Sequence, residues 1–197
     1  MKRKILLGLL LFIITIKTFS QNSKLSIELN YPFLIDNNFI GENYSGIIDF
    51  GIGYNFLQQE TLNINIIISG AVMKTNKSSM RIHSTESNVS ILKPKIAAEL
   101  NIKKLNKIHP FVGLGYTFLF FKTSEKNYYN PEDLESSSLT QNESGFSLNF
   151  GMTYDITDRL FIKGLYDFTK LGTDSEVPNI KYNTKINIIK VGLGFRL

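Results

Sequence analysis

From Leu25 onward, apolar residues recur with a period of two rather than 3.6, the signature of strands with two unlike faces. Eight runs carry the alternation: residues 25–31, 48–56, 62–73, 89–102, 111–121, 146–155, 160–169 and 188–197. Most are close to the length a tilted strand needs to cross a bilayer, and longer than ordinary soluble strands. In each run one parity is apolar and uncharged. Ile48, Phe50, Ile52, Tyr54 and Phe56 form it in the second run, and Val112, Leu114, Tyr116, Phe118 and Phe120 in the fifth. The other parity is mainly Asn, Ser, Thr, Gly and charged residues, with Ile67, Ala71, Ala97, Leu119, Phe161 and Leu165 as apolar exceptions.

Alternation alone does not say which face is inside. A soluble lipid-binding barrel turns the apolar set inward, and a transmembrane barrel turns it outward. Three features favour the membrane. The apolar set is unbroken by charge around all eight runs. The polar set is rich in small residues that suit a narrow interior. The connections alternate in length: 32–47, 74–88, 122–145 and 170–187 are long, whereas 57–61, 103–110 and 156–159 are short. Short periplasmic turns and long external loops are the asymmetry of outer-membrane barrels. The expected fold is therefore an all-β, eight-stranded antiparallel transmembrane barrel, an up-and-down meander with both ends on the periplasmic side.

The aromatics fit this orientation. Tyr31, Phe118, Phe120, Phe146 and Phe168 fall near external strand ends, and Tyr54, Phe56, Tyr154 and Phe195 near periplasmic ends. Pro94 is awkward, because a closed barrel has no free edge and proline cannot donate to a ladder. The apolar phase also slips there, from Val89 and Ile91 to Leu92 and Ile96. A β-bulge over residues 91–94 is expected.

The N-terminus changes the picture of charge. Lys2-Arg3-Lys4 precedes the twelve-residue, almost wholly apolar stretch 5–16, which is too short for a helical span and suits a signal peptide. Residues 1–20 are read as that address, exporting the barrel domain 21–197. The formal net charge is +5, but Lys2, Arg3, Lys4 and Lys17 account for four of the 22 basic residues, leaving 18 against 17 acids. That near-neutral body has no footprint for nucleic acid. The absence of cysteine excludes a disulfide scaffold, a thiolate metal site and a cysteine nucleophile.

The chain resembles the small outer-membrane β-barrel proteins of Gram-negative bacteria, of the OmpX/OmpA-barrel type and the PorT-like barrel family. Pro110-Phe111-Val112-Gly113-Leu114-Gly115-Tyr116 and the closing Val191-Gly192-Leu193-Gly194-Phe195-Arg196-Leu197 carry the resemblance, with the signal peptide. It implies a bacterial outer-membrane location, outer-membrane lipid as surroundings, and insertion by the barrel-assembly machinery through Val191, Leu193, Phe195 and Leu197. Members range from surface-interaction proteins to secretion-system components, so an accessory role in protein secretion is one implied alternative.

Inward charges are Glu28, Asp49, Glu99 and Asp167 against Lys95, Lys163, Lys190 and Arg196. They fall into two balanced layers: Glu28, Glu99, Lys163 and Arg196 below, and Asp49, Lys95, Asp167 and Lys190 above. An eight-stranded interior is narrow, so an ion-paired plug is favoured over an ion pathway. No metal-ligand spacing, cofactor fingerprint or catalytic constellation stands out. His83, beside Ser84 and Glu86, sits in a long loop, and His109 precedes Pro110 at a short turn; a lipid-modifying barrel enzyme is the alternative these histidines keep open. The 122–145 loop carries Tyr128, Tyr129, Glu132 and Asp133, an aromatic and acidic patch for an unknown surface or envelope partner. The reading is a non-enzymatic structural or interaction protein of the envelope.

Overall fold

The structure, a computed structural model, describes residues 24–75, 85–125, 138–172 and 178–197. The signal peptide, His83, and the candidates Tyr128, Tyr129, Glu132 and Asp133 lie outside the described residues.

Eight strands follow one another around a closed barrel: β1 (Leu25–Leu34), β2 (Tyr44–Gln58), β3 (Leu62–Thr75), β4 (Thr85–Leu100), β5 (Ile108–Glu125), β6 (Ser138–Asp155), β7 (Leu160–Leu171) and β8 (Lys185–Arg196). Every neighbouring pair is antiparallel, and β1 closes on β8 through a register that runs from Ser26↔Arg196 to Leu34↔Ile188. Closure leaves no edge, so every strand finds hydrogen-bond partners on both sides, as lipid demands. All eight expected strands are present, and several reach further at the long-loop end than the alternation shows. Two short helices lie at that end: α1 (Phe39–Asn43), capped by the Asn38 side chain accepting from the Gly41 amide, and α2 (Lys181–Thr184). No helix among the described residues is long and apolar enough to cross a membrane; the crossing is by strands.

The barrel is inside out relative to a soluble protein. Ile52, Ile68, Ile96, Leu114, Phe146, Phe150 and Leu193 are exposed on the outer wall, and the buried set includes Glu28, Asp49, Lys93, Lys95, Lys163, Asp167 and Lys190. This excludes the soluble barrel with an apolar cavity. Turns 59–61, 101–107 and 156–159 mark the periplasmic end, and the longer connections mark the external end.

The expected bulge at 91–94 is absent. The β3 ladder runs unbroken through Ile68↔Pro94 and Ser69↔Lys93. Against β5 the pairing skips Lys93 and Pro94 but resumes in the same register at Lys95↔Gly115. The missing proline N–H interrupts one ladder locally without adding a residue to it. The phase slip has another cause: Val89 and Ile91 keep the inward parity and are buried in an apolar cap at the external end of the lumen. The bulges are in β2, between Gly46 and Ile48 and between Asn55 and Leu57. At each, an apolar doublet, Ile47-Ile48 or Phe56-Leu57, is exposed to lipid at both positions.

The cap is built from Ile40 of α1, Tyr44, Met73, Val89, Ile91, Leu119, Ile186 and Ile188, with Leu34 and Phe121 packed against it. Leu119 is fully buried opposite Ile91. Leu119→Ala is expected to cost about 3 kcal/mol, because the closed wall cannot collapse into the space. An unchanged urea midpoint of the refolded barrel would show that the cap is loose.

Candidate functional site

Beneath the cap the lumen carries an ion-paired tier. Asp167 Oδ2 lies 2.6 Å from Lys93 Nζ and 3.4 Å from Lys190 Nζ, and Lys190 reaches Asp49 Oδ2 at 2.6 Å. Asn30 Nδ2 donates to Asp49 Oδ1 at 2.9 Å, and Lys93 donates to Thr169 Oγ1 at 3.2 Å. Two aspartates face two lysines, all almost fully buried, so these four side chains compensate one another. Strand parity places them, one each on β2, β4, β7 and β8, at one height of the barrel.

Lys93 is missing from the expected partners. It shares the inward parity of Lys95, but a bulge expected at 91–94 takes it out of register. Lys95 is buried yet makes no ion pair with the described residues. Its stem packs beside Gly115, where an added Cβ would come within 2.8 Å of Lys95 Cβ. The glycine is clearance for that lysine.

Lower down, Lys163 Nζ donates to Glu28 Oε1 at 2.7 Å and sits 4.6 Å over the Phe111 ring. The other two members of the expected lower layer do not join this pair. Arg196 Nη2 lies 2.8 Å from Asp155 Oδ1, and its guanidinium covers the Phe161 ring at 4.8 Å. Glu99 has no cation among the described residues; Asn63 Nδ2 donates to it at 3.3 Å and Thr153 Oγ1 at 3.4 Å. The balanced lower layer is thus two separate ion pairs and one carboxylate held by neutral donors.

These groups surround a cavity of about 370 Å³ at the periplasmic end. His109, expected in a turn, is at the start of β5 on the cavity wall. Its Nδ1 is 3.0 Å from Asn101 Oδ1 and its Nε2 3.0 Å from Asp155 Oδ2. The imidazole ties the β4–β5 turn to the end of β6, and neither of its hydrogen-bond partners is a hydroxyl. The asparagines Asn55, Asn63 and Asn101 of this vestibule do not stand out in the sequence. Their signal is the gathering of inward asparagines at the periplasmic strand ends. Among the described residues no cluster of His, Cys, Asp and Glu is arranged to hold a metal ion.

Val191 and Leu193 of the closing strand face outward and are exposed, while Phe195 and Leu197 are half-buried. At the opposite end, Phe39 of α1 meets Tyr44, Phe121 and Tyr182 at ring distances of 6.1, 6.4 and 6.5 Å. The Tyr182 hydroxyl donates to Glu42 Oε2 at 2.8 Å, which joins the first and fourth external connections and raises the phenol's pKa.

Solved structures with the same fold are distant in sequence. Ail, the attachment invasion locus protein of Yersinia pestis, superposes with a TM-score of 0.56 at 12% identity, over 88% of this chain and 96% of that one, in a complex with the heparin analogue sucrose octasulfate. A major outer membrane protein of Thermus thermophilus gives 0.54 at 9% identity, over 88% and 99% of the two chains. Neisserial surface protein A gives 0.50 at 13%, over 88% and 96%. No curated protein matches the chain. At these identities the likeness is one of fold. The family model of the outer membrane protein beta-barrel domain matches residues 6–196, nearly the whole chain. With eight strands closed, an apolar outer wall and a charged interior, the chain belongs to the outer-membrane protein β-barrel family.

Proposed function

We propose that the protein is a non-enzymatic, non-conducting barrel of the bacterial outer membrane that serves as a structural and interaction protein of the envelope through its external face. The observation that carries this reading is the stacked closure of the lumen: an apolar cap lies over a tier of ion pairs. An ion crossing the barrel would have to shed its water against the cap and then break paired charges. What remains for contact with the surroundings is the external rim. There, the Phe39 and Tyr182 rings are partly exposed, and Lys74, Lys122 and Lys170 are exposed at strand ends. β5 ends and β6 begins at the same end of the barrel, and Tyr128, Tyr129, Glu132 and Asp133 fall between them in the sequence.

Planar-bilayer recording tests the closure: no steady conductance is expected, and a stable open level overturns the reading. Because β5 extends to Glu125 and β6 begins at Ser138, residues 126–137 are the segment to excise. The excised protein is expected to keep its heat-dependent shift on detergent gels. Sucrose octasulfate is the first probe of the rim, because the Ail barrel has been solved with it and the rim lysines here supply positive charge.

A further inference from the structure

We propose that the periplasmic vestibule is a binding site for a small, donor-rich cation, an organic ammonium that enters from the periplasm. The inference is independent of any role of the external face. The cavity, at about 370 Å³, lies in the range that holds small ligands. Two of its cations are already engaged, Lys163 by Glu28 and Arg196 by Asp155, and the His109 ring is held between Asn101 and Asp155. Lys24 and Asp158, one of each sign, sit at the mouth. Glu99 is the acid left with neutral donors alone, at 3.3 and 3.4 Å.

The second observation is Asn63. It is 7% exposed, and its Nδ2 points at two acceptors, Glu99 Oε1 and Asn101 Oδ1, which fixes the amide. Its Oδ1 is then an acceptor that receives no hydrogen bond from the described residues, and Asn55 Oδ1 on the same wall is another. Asn63 on β3 is the direct cross-strand partner of Glu99 on β4, and Asn55 is on the neighbouring strand β2, opposite Asn65 of β3. A carboxylate with weak bonds and amide oxygens with none constitute a surplus of acceptors. An ammonium supplies three donors and the missing charge. An anion would meet Lys163 and Arg196 already paired on the wall and find only Lys24, at the mouth, to receive it, and a neutral solute would leave Glu99 uncompensated.

Calorimetric titration of the detergent-extracted protein at about 0.15 M salt tests this with three probes of one length: butane-1,4-diamine, butane-1,4-diol and butanedioate. Saturable binding of the diamine is expected, at least tenfold tighter than the diol or the dicarboxylate. Glu99→Gln should weaken the diamine at least tenfold while keeping the heat-dependent gel shift. Asn63→Asp, which adds charge at the free acceptor, should tighten it and carries the test if Glu99→Gln does not fold. Equal binding of diamine and diol, preference for butanedioate, or a folded Glu99→Gln that binds the diamine like the wild type overturns the proposal.

Discussion

Replacing Asp167 with alanine is expected to destabilise the barrel by about 3–5 kcal/mol, because it leaves buried charge uncompensated. Asp167 is fully buried and is the sole carboxylate paired with Lys93 among the described residues; the other polar contact of Lys93 is Thr169. It also shares Lys190 with Asp49. After the substitution two ammonium groups face one carboxylate in a wall that cannot open to water. The double variant Lys93→Met, Asp167→Leu removes one charge of each sign and leaves the Lys190–Asp49 pair intact. It should recover most of the loss, since a buried pair replaced by apolar groups of similar volume is often neutral or better. Urea unfolding in micelles, followed by the mobility of the folded band, reads both; the chain has no tryptophan to report by fluorescence. A loss below about 1 kcal/mol for Asp167→Ala would mean that the tier is hydrated and structurally idle.

The strands and their facing were legible because the outer wall answers to one physical demand, contact with lipid, which forbids charge at every second position. The lumen answers to two demands, and parity alone does not separate them. Near the middle it must pair charge, and near the external end it is capped. Val89 and Ile91 are apolar and inward for the second reason, and a rule that equates inward with polar turns them into a bulge. Adjacent apolar residues therefore have two meanings here. Ile47-Ile48 and Phe56-Leu57 mark real register shifts in β2, whereas Ile91-Leu92 marks a cap residue beside a lipid-facing one. The pairing of Lys93 with Asp167 joins β4 to β7 across the lumen, and parity carries no information on cross-lumen distance. The same holds for Glu99, whose expected layer holds Lys163 and Arg196 while its neighbours on β3 and β6 provide only Asn63 and Thr153.

Leu114→Arg is the second large effect, and it separates a membrane wall from a water-facing one. Leu114 is 67% exposed in the middle of β5, paired with Ile96 and Leu148, whose side chains share the outer face. In a water-soluble protein a change from leucine to arginine at such an exposed position costs almost nothing. On a lipid-facing wall near the bilayer midplane it costs about 2–4 kcal/mol, falling toward zero at the interfaces. Leu105→Arg is the matched control. Leu105 is 45% exposed, but it lies in the 101–107 turn beyond the strand ends, so its cost should be near zero. Unfolding titrations in phospholipid vesicles should therefore show a large difference between two leucines that are both open to the surroundings. Equal, small costs at the two positions would place water against the outer wall of β5 and contradict the transmembrane orientation. A large cost at Leu114 alone would tie the depth of the hydrocarbon to a named residue, because only the medium on the far side of the side chain differs between the two.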